Sequence, residues 1–277
     1  MIVPHLLGIA AATVFVIFCT LLPFLPGSYD SLAVPLSEMA HVVGTLGLLL
    51  VPVGLLWIAA QRSSRLVQRR HAFPLLALIA STLVWLGVCL AAILHSGFVL
   101  GFAVLLLWGF LAVKAWAVFR SRSAKETGLP FYLIAVPVLV ALVQFVFVER
   151  AIEYSRNRAI MNSASLIAEI EEYHTRNGRY PTSLLAEGTD HSPGVIGIPQ
   201  YHYEPHGDGY NLVFEQFNYN FGMREFVVYN PRDEQVMTAH AIDILQLTPA
   251  ELVVERTRGH FARHDLPQPH WKRFWFD

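Results

Sequence analysis

Eight histidines lie between Glu149 and the C-terminus: His174, His191, His202, His206, His240, His260, His264 and His270. Imidazole is the commonest metal ligand and can act as a base near neutral pH. Two pairs, His202/His206 and His260/His264, are four residues apart. On a helix that spacing turns both rings to one face, as a zinc site needs. His202–His206 encloses Pro205 in an alternating run, so the helical geometry fails there. His260 and His264, with Glu255 or Asp265 to complete the set, are the candidate metal ligands. There is no His-Glu-x-x-His, no Gly-x-Ser-x-Gly elbow, no phosphate loop and no dinucleotide fingerprint. Both cysteines, Cys19 and Cys89, sit in apolar runs, which leaves the polar half without a thiol nucleophile. Asp208 and Asp233 lack the dense ligand spacing of a calcium loop and read as turn residues. No residue is assigned a catalytic role, and no cofactor is expected.

The elements around these residues fall into two halves. Before Glu149 there are eight Lys or Arg and three Asp or Glu; from Glu149 onward there are twelve and eighteen. The second half therefore has a water-soluble composition with a net charge of 12 − 18 = −6. That sign gives no reason to expect a nucleic-acid partner.

A membrane span needs about 20 apolar residues. Five stretches qualify: about Leu6–Leu22, Met39–Ala60, Phe73–Leu94, Phe98–Phe119 and Leu129–Val148. The first lacks the basic flank and small-residue cleavage site of a secretory signal, so it reads as a retained helix. Gln61–His71 carries Arg62, Arg65, Arg69 and Arg70, and Arg120–Gly128 carries Arg120, Arg122 and Lys125. Pro23–Glu38 and His95–Gly97 carry no Lys or Arg. Basic loops stay cytoplasmic. The N-terminus is thus expected inside and everything after Val148 outside, which in a bacterium means an inner-membrane protein with a periplasmic C-terminal domain. Glu38 and His41 share a helix face at the outer end of the second span and read as interfacial. Gly44, Gly47 and Gly54 read as close-packing positions.

After Glu149, apolar residues at Ile152, Ala159, Ile160, Leu166, Ile167, Ile170 and Tyr173 define one helix face. One long helix, or two nearly collinear ones, should leave the membrane and stop at Asn177-Gly178. A turn of helix near Thr182–Ala186 follows, then period-two strands. These are Tyr201–Glu204, Tyr210–Phe217 after an Asp208-Gly209 turn, Glu225–Tyr229 and Gln235–Thr238. Pro249–Arg256 reads as a short helix. The fold class is membrane α-helical plus an α+β outer domain, with a long helix packed on a small antiparallel sheet. The chain divides into a four-span region (1–128), the fifth span with its amphipathic extension (129–176) and a sheet region (177–277). Trp271, Phe274, Trp275 and Phe276 either complete a sheet or form an exposed docking patch; as a patch they are the candidate interaction residues.

A membrane helix that runs into Ile170-Glu171-Glu172-Tyr173, then Asn177-Gly178-Arg179-Tyr180-Pro181, then a small sheet, resembles the head of type IV pilins and type II secretion pseudopilins. It is equally similar to pilin-like periplasmic modules on other membrane anchors. The resemblance covers about Leu129–Thr238. Pilins carry a glutamate five residues into their processed helix. Here that position is Leu133, and four further spans precede it. The resemblance therefore implies a fold, not a filament subunit. The expected function is non-enzymatic: protein binding or envelope and secretion assembly, with membrane lipid and a periplasmic protein as partners. The other reading is a membrane-tethered metal-dependent hydrolase using the outer histidines.

Overall fold

A computed structural model describes residues 2–62, 72–120, 128–184, 192–206, 208–220, 223–235 and 261–276. The chain separates into two compact units, Met1–Leu22 with Ser31–Arg150, and Pro23–Asp30 with Ala151–Asp277.

The first unit is helical: α1 (Ile2–Leu21), α2 (Ala33–Gly47), α3 (Leu50–Arg62), α4 (Ala72–Ser96), α5 (Phe98–Arg120) and the start of α6 (Leu129–Asn162). Among the described residues, three stretches are long and apolar enough to cross a membrane: His5–Phe24, Ala72–Leu94 and Leu129–Asn177. The bent pair α2 and α3 makes a fourth if taken as one span, and Phe98–Lys114 is a shorter apolar helix. The apolar side chains are not gathered inward as in a soluble bundle. Phe98 is 81% exposed and Phe145 88%, which suits a surface solvated by hydrocarbon.

The second expected span, Met39–Ala60, is broken, with a bend of 48° between α2 and α3. Pro52 has no N–H to give the Leu48 carbonyl, and its ring crowds that carbonyl. The chain tightens here into three-residue turns, with Leu48 N–H donating to Thr45 O and Leu49 N–H to Leu46 O. Pro137 lies inside α6 without ending it. The glycine stripe packs as expected. A Cβ at Gly47 would lie 3.2 Å from Pro137 Cβ, and one at Gly54 would lie 2.7 Å from Ile134 Cγ1. A Cβ at Gly44 would overlap the Gln144 side chain, whose Nε2 donates to Ala40 O at 3.3 Å.

In the second unit the end of α6 and α7 (Ala164–Asn177) are separated by a single turn residue, Ser163. The helix stops at Gly178, whose φ of 67° and N–H bond to His174 O form the left-handed cap. Glu172 and Arg176 pair across one turn on the exposed face. Five antiparallel strands follow: β1 (His202–His206), β2 (Gly209–Gln216), β3 (Arg224–Tyr229), β4 (Phe261–Asp265) and β5 (Trp271–Phe276), in the spatial order β1-β2-β3-β5-β4. His206 pairs with Gly209, so Gly209 opens β2 instead of lying in the turn as the Asp-Gly reading had it. Gln235 is not in a strand, and the rest of the expected Gln235–Thr238 strand lies outside the described residues, as do Pro249–Arg256 and all of Thr182–Ala186 after Leu184.

Ala159, Ile160, Leu166 and Ile170 from the helices join Tyr210, Leu212, Phe214, Val227 and Trp271 from the sheet in one core. Val213, Phe226, Val228, Phe274 and Phe276 form a second buried cluster. Alternation along the strands puts this cluster on the opposite sheet face. The central strands are thus apolar on both faces, which removes the simple inside–outside alternation of a one-sided sheet. The segment Pro23–Asp30 is part of this unit. Gly197 N–H donates to Pro23 O, Ile196 N–H to Leu25 O and Gly27 N–H to Gly194 O.

Candidate functional site

β5 decides where the aromatic tail goes. It pairs with β3 on one side, from Tyr229↔Trp271 to Arg224↔Phe276, and with β4 on the other. Three of the four candidate interaction residues are interior: Trp271, Phe274 and Phe276 are 4%, 2% and 4% exposed. Trp271 packs on Tyr229 at 5.4 Å and Phe214 at 5.9 Å, and Phe276 meets Phe226 edge-on at 5.6 Å. These side chains complete the sheet, and a buried ring has no surface to offer a partner. Only Trp275 is half-buried.

Trp275 is not alone at the surface. On a strand, residues 271, 273 and 275 share one face, so Arg273 lies beside it, its guanidinium 5.4 Å from the indole centroid. The His264 ring on β4 stands edge-on to the same indole at 6.2 Å. Arg273 Nε and Trp275 Nε1 are buried donors without an acceptor among the described residues. Buried donors in folded proteins are nearly always paired, so two adjacent orphans call for an acceptor from elsewhere. β4 beside them ends the sheet, and its Ala262, Arg263, His264 and Asp265 are all exposed. The patch therefore combines a cation, an indole donor, an imidazole and a strand edge. That set suits a carboxylate or backbone carbonyls of an extended segment.

Of the candidate metal pair, His264 lies on a strand, where the helical four-residue argument does not hold, and His260 lies outside the described residues. Among the described residues no three His, Cys, Asp or Glu side chains come together as a metal cluster. Asp208 faces Arg232 at 3.5 Å, and Asp233 faces His270 at 3.1 Å, so both turn carboxylates already have cationic or imidazole neighbours. Among the described residues, Asp233 and His270 are the two non-glycines with positive φ, at 59° and 67°. Their contact pins the β3 exit to the β5 entry, aided by Asn230 N–H and Gln235 Nε2 both donating to His270 O.

A second cluster forms around Glu171 on α7, inside the motif that carries the family resemblance. Tyr180 OH donates to Glu171 Oε2 at 3.3 Å and Tyr210 OH to Oε1 at 3.2 Å. Tyr180, Tyr203 and Tyr229 pack around the Tyr210 ring at 5.1, 5.4 and 5.8 Å. Tyr203 OH donates to Pro181 O, tying the extended segment after Gly178 to β1. Burial pushes all four phenols above their ordinary range, and the Glu171 charge adds to the shift. None can serve as a phenolate base near neutral pH, so the cluster clamps the chain. Because the folded values are raised, the clamp contributes its full stability below the unfolded tyrosine value near pH 10. It loses that contribution as pH rises through the folded values. Melting temperature should therefore hold steady up to about pH 9.5 and fall above pH 10. Tyr210→Phe should flatten that fall. A melt insensitive to pH in that range contradicts the clamp.

Sequence reasoning passed over Arg273 and the buried pair Arg156–Glu225, which meet at 2.7 Å. The alternation in Trp-Lys-Arg-Phe-Trp-Phe was the available signal for Arg273, since it already sets 271, 273 and 275 on one face. Comparison with protein-family models, with curated proteins and with solved structures found no match.

Proposed function

We propose that the chain is a five-span bacterial inner-membrane protein with a cytoplasmic N-terminus. In this reading its pilin-like C-terminal domain captures an extended or acidic segment of a protein partner outside the cytoplasm, in envelope or secretion assembly, and performs no catalysis. The observation that carries the binding role is the pair of buried donors on Arg273 and Trp275 that meet no acceptor among the described residues, next to the exposed strand β4.

Two features support the topology. Seven basic residues in the loops 61–71 and 120–128 stand against none in 23–38 and 95–97. The loop Pro23–Asp30 also bonds to the backbone of the C-terminal domain, which supports placing both on one side of the bilayer. In that arrangement the chain between Asp30 and Ala151 crosses an even number of times. Counting the bent α2–α3 pair, α4, α5 and α6 gives four. Omitting either the bent pair or α5 alone would strand the domain on the wrong side.

The full chain carrying a photocrosslinking residue at Ala262 should give a discrete adduct in intact cells. Arg273→Met keeps the aliphatic stem and removes the donors. It should abolish the adduct while leaving the melt of the domain unchanged or slightly raised, because an unpaired buried donor is costly. An adduct that survives Arg273→Met removes this patch as the binding site. Labelling of Ala262→Cys by an impermeant maleimide only in lysed spheroplasts would reverse the topology.

A further inference from the structure

The hairpin joining β2 and β3 ends in a run of aromatic, amide and thioether side chains: Phe217, Asn218, Tyr219, Asn220 and Met223. Two landmarks fix the height of this tip. The first is Phe24, the last residue of the apolar stretch His5–Phe24. It is 1% exposed. Its ring stacks on Phe217 at 5.7 Å and meets Tyr219 at 6.0 Å. The second is α6. Ser155 Oγ lies 3.4 Å from Gln216 Oε1, and Arg156 pairs with Glu225, the cross-strand partner of Gln216. The loop-bearing end of the hairpin therefore meets α6 seven or eight residues beyond Val148. At about 1.5 Å per residue that is roughly 10–12 Å along the helix.

The direction of β2 is also fixed. Its start, at Tyr210, binds Glu171 on α7, and its end, at Gln216, meets Ser155 on α6. β2 thus runs from the α7 end of the unit toward Ser155 and Arg156 on α6, and the tip follows at that end. The headgroup layer beyond the hydrocarbon is itself about 5–8 Å thick. The tip packs on Phe24, the residue that ends the first apolar stretch, through Phe217 and Tyr219.

We propose that the tip, through Phe217, Tyr219 and Met223, inserts into the phospholipid interface and holds the domain against the membrane by a contact separate from its two chain connections. Tyrosine and its neighbours suit that layer because one end of the side chain is apolar and the other is wet. The occupant is a zwitterionic interface, since Arg224, the cation at the base of the hairpin, is held in a two-bond pair by Glu215 at 2.9 and 2.8 Å. Met223 is 41% exposed, so a label can replace it without disturbing the core. The inference holds whichever side of the membrane the domain faces.

The full chain with Cys19→Ala, Cys89→Ala and Met223→Cys, spin-labelled and placed in phosphatidylcholine vesicles, tests it. Collisions of the label with an aqueous nickel complex should be at least about threefold rarer than for a label at Asn177→Cys, the exposed end of α7, and collisions with oxygen more frequent. Equal nickel accessibility at the two positions overturns the proposal. In the unsubstituted chain, phosphatidylcholine with a photoreactive headgroup should crosslink to peptides covering 217–223. Crosslinks confined to 149–154 overturn it as well, even if the cysteine-free chain fails to fold.

Discussion

Removing residues 270–277 should unfold the C-terminal domain of this protein. β5 lies between β3 and β4, so the deletion strips backbone pairing from both neighbours at once. It also takes Trp271 out of the main core and Phe274 and Phe276 out of the second cluster. Phe274→Ala alone should cost about 3–5 kcal/mol, the usual range for a fully buried phenylalanine. A domain of this size has only about 5–15 kcal/mol in total, so the single substitution removes a large fraction and the deletion exceeds it. Pulse proteolysis of the full chain in micelles reads both. The deletion should leave the region after Arg150 cleaved without denaturant, and Phe274→Ala should shift the midpoint strongly. A protected domain after deletion would mean that the strand is an appendage and that the aromatic tail is free to serve as a docking patch.

The second large effect concerns Arg156 on α6 and Glu225 on β3. Their side chains are 8% and 1% exposed, and Arg156 Nε also donates to Glu225 Oε1 at 3.0 Å. Breaking a buried pair by removing one member leaves an uncompensated charge and costs about 3–5 kcal/mol. Glu225→Leu and Arg156→Met should each show a loss of that order. The double variant should recover most of it, because an apolar pair of similar volume avoids desolvating two charges. A double-mutant cycle by denaturant midpoint checks this, and additive losses would show that the two charges are solvated independently. Ser155 and Gln216 sit next to the pair. The double variant should loosen the hairpin tip without lowering stability, an effect that lipid crosslinking at 217–223 detects separately.

Much of this architecture was legible in the residues. The apolar stretches, the three- and four-residue spacing from Ile152 to Tyr173 and the stop at Gly178 depend on interactions within a few positions, and the helices appear where that spacing puts them. The glycine stripe of the second span was legible for the same reason, since small side chains in an apolar helix have few uses other than close approach. β1, β2 and β3 follow the period-two pattern. The break after Gly47 was available from Pro52 but is masked by the hydropathy of the stretch, which averages over the lost hydrogen bond.

The candidate site was much less legible. Trp271, Phe274, Trp275 and Phe276 look equivalent in sequence, and only strand pairing separates three core rings from one half-buried indole beside Arg273. His264 carries a spacing that is meaningful on a helix and loses that meaning on β4. The pairing of Arg156 with Glu225 joins residues 69 positions apart, and no local pattern encodes a contact at that distance. What the sequence by itself determined is the apolar helices, the amphipathic helix and strands β1 to β3, because helix and strand periods are read from neighbouring residues; it did not mark β4 as a strand. What only the tertiary structure decided is which strand lies beside which and, with it, the placing of the loop Pro23–Asp30 in the C-terminal domain. Those choices are made by burial of faces that come from distant parts of the chain, and the chain carries no local record of them.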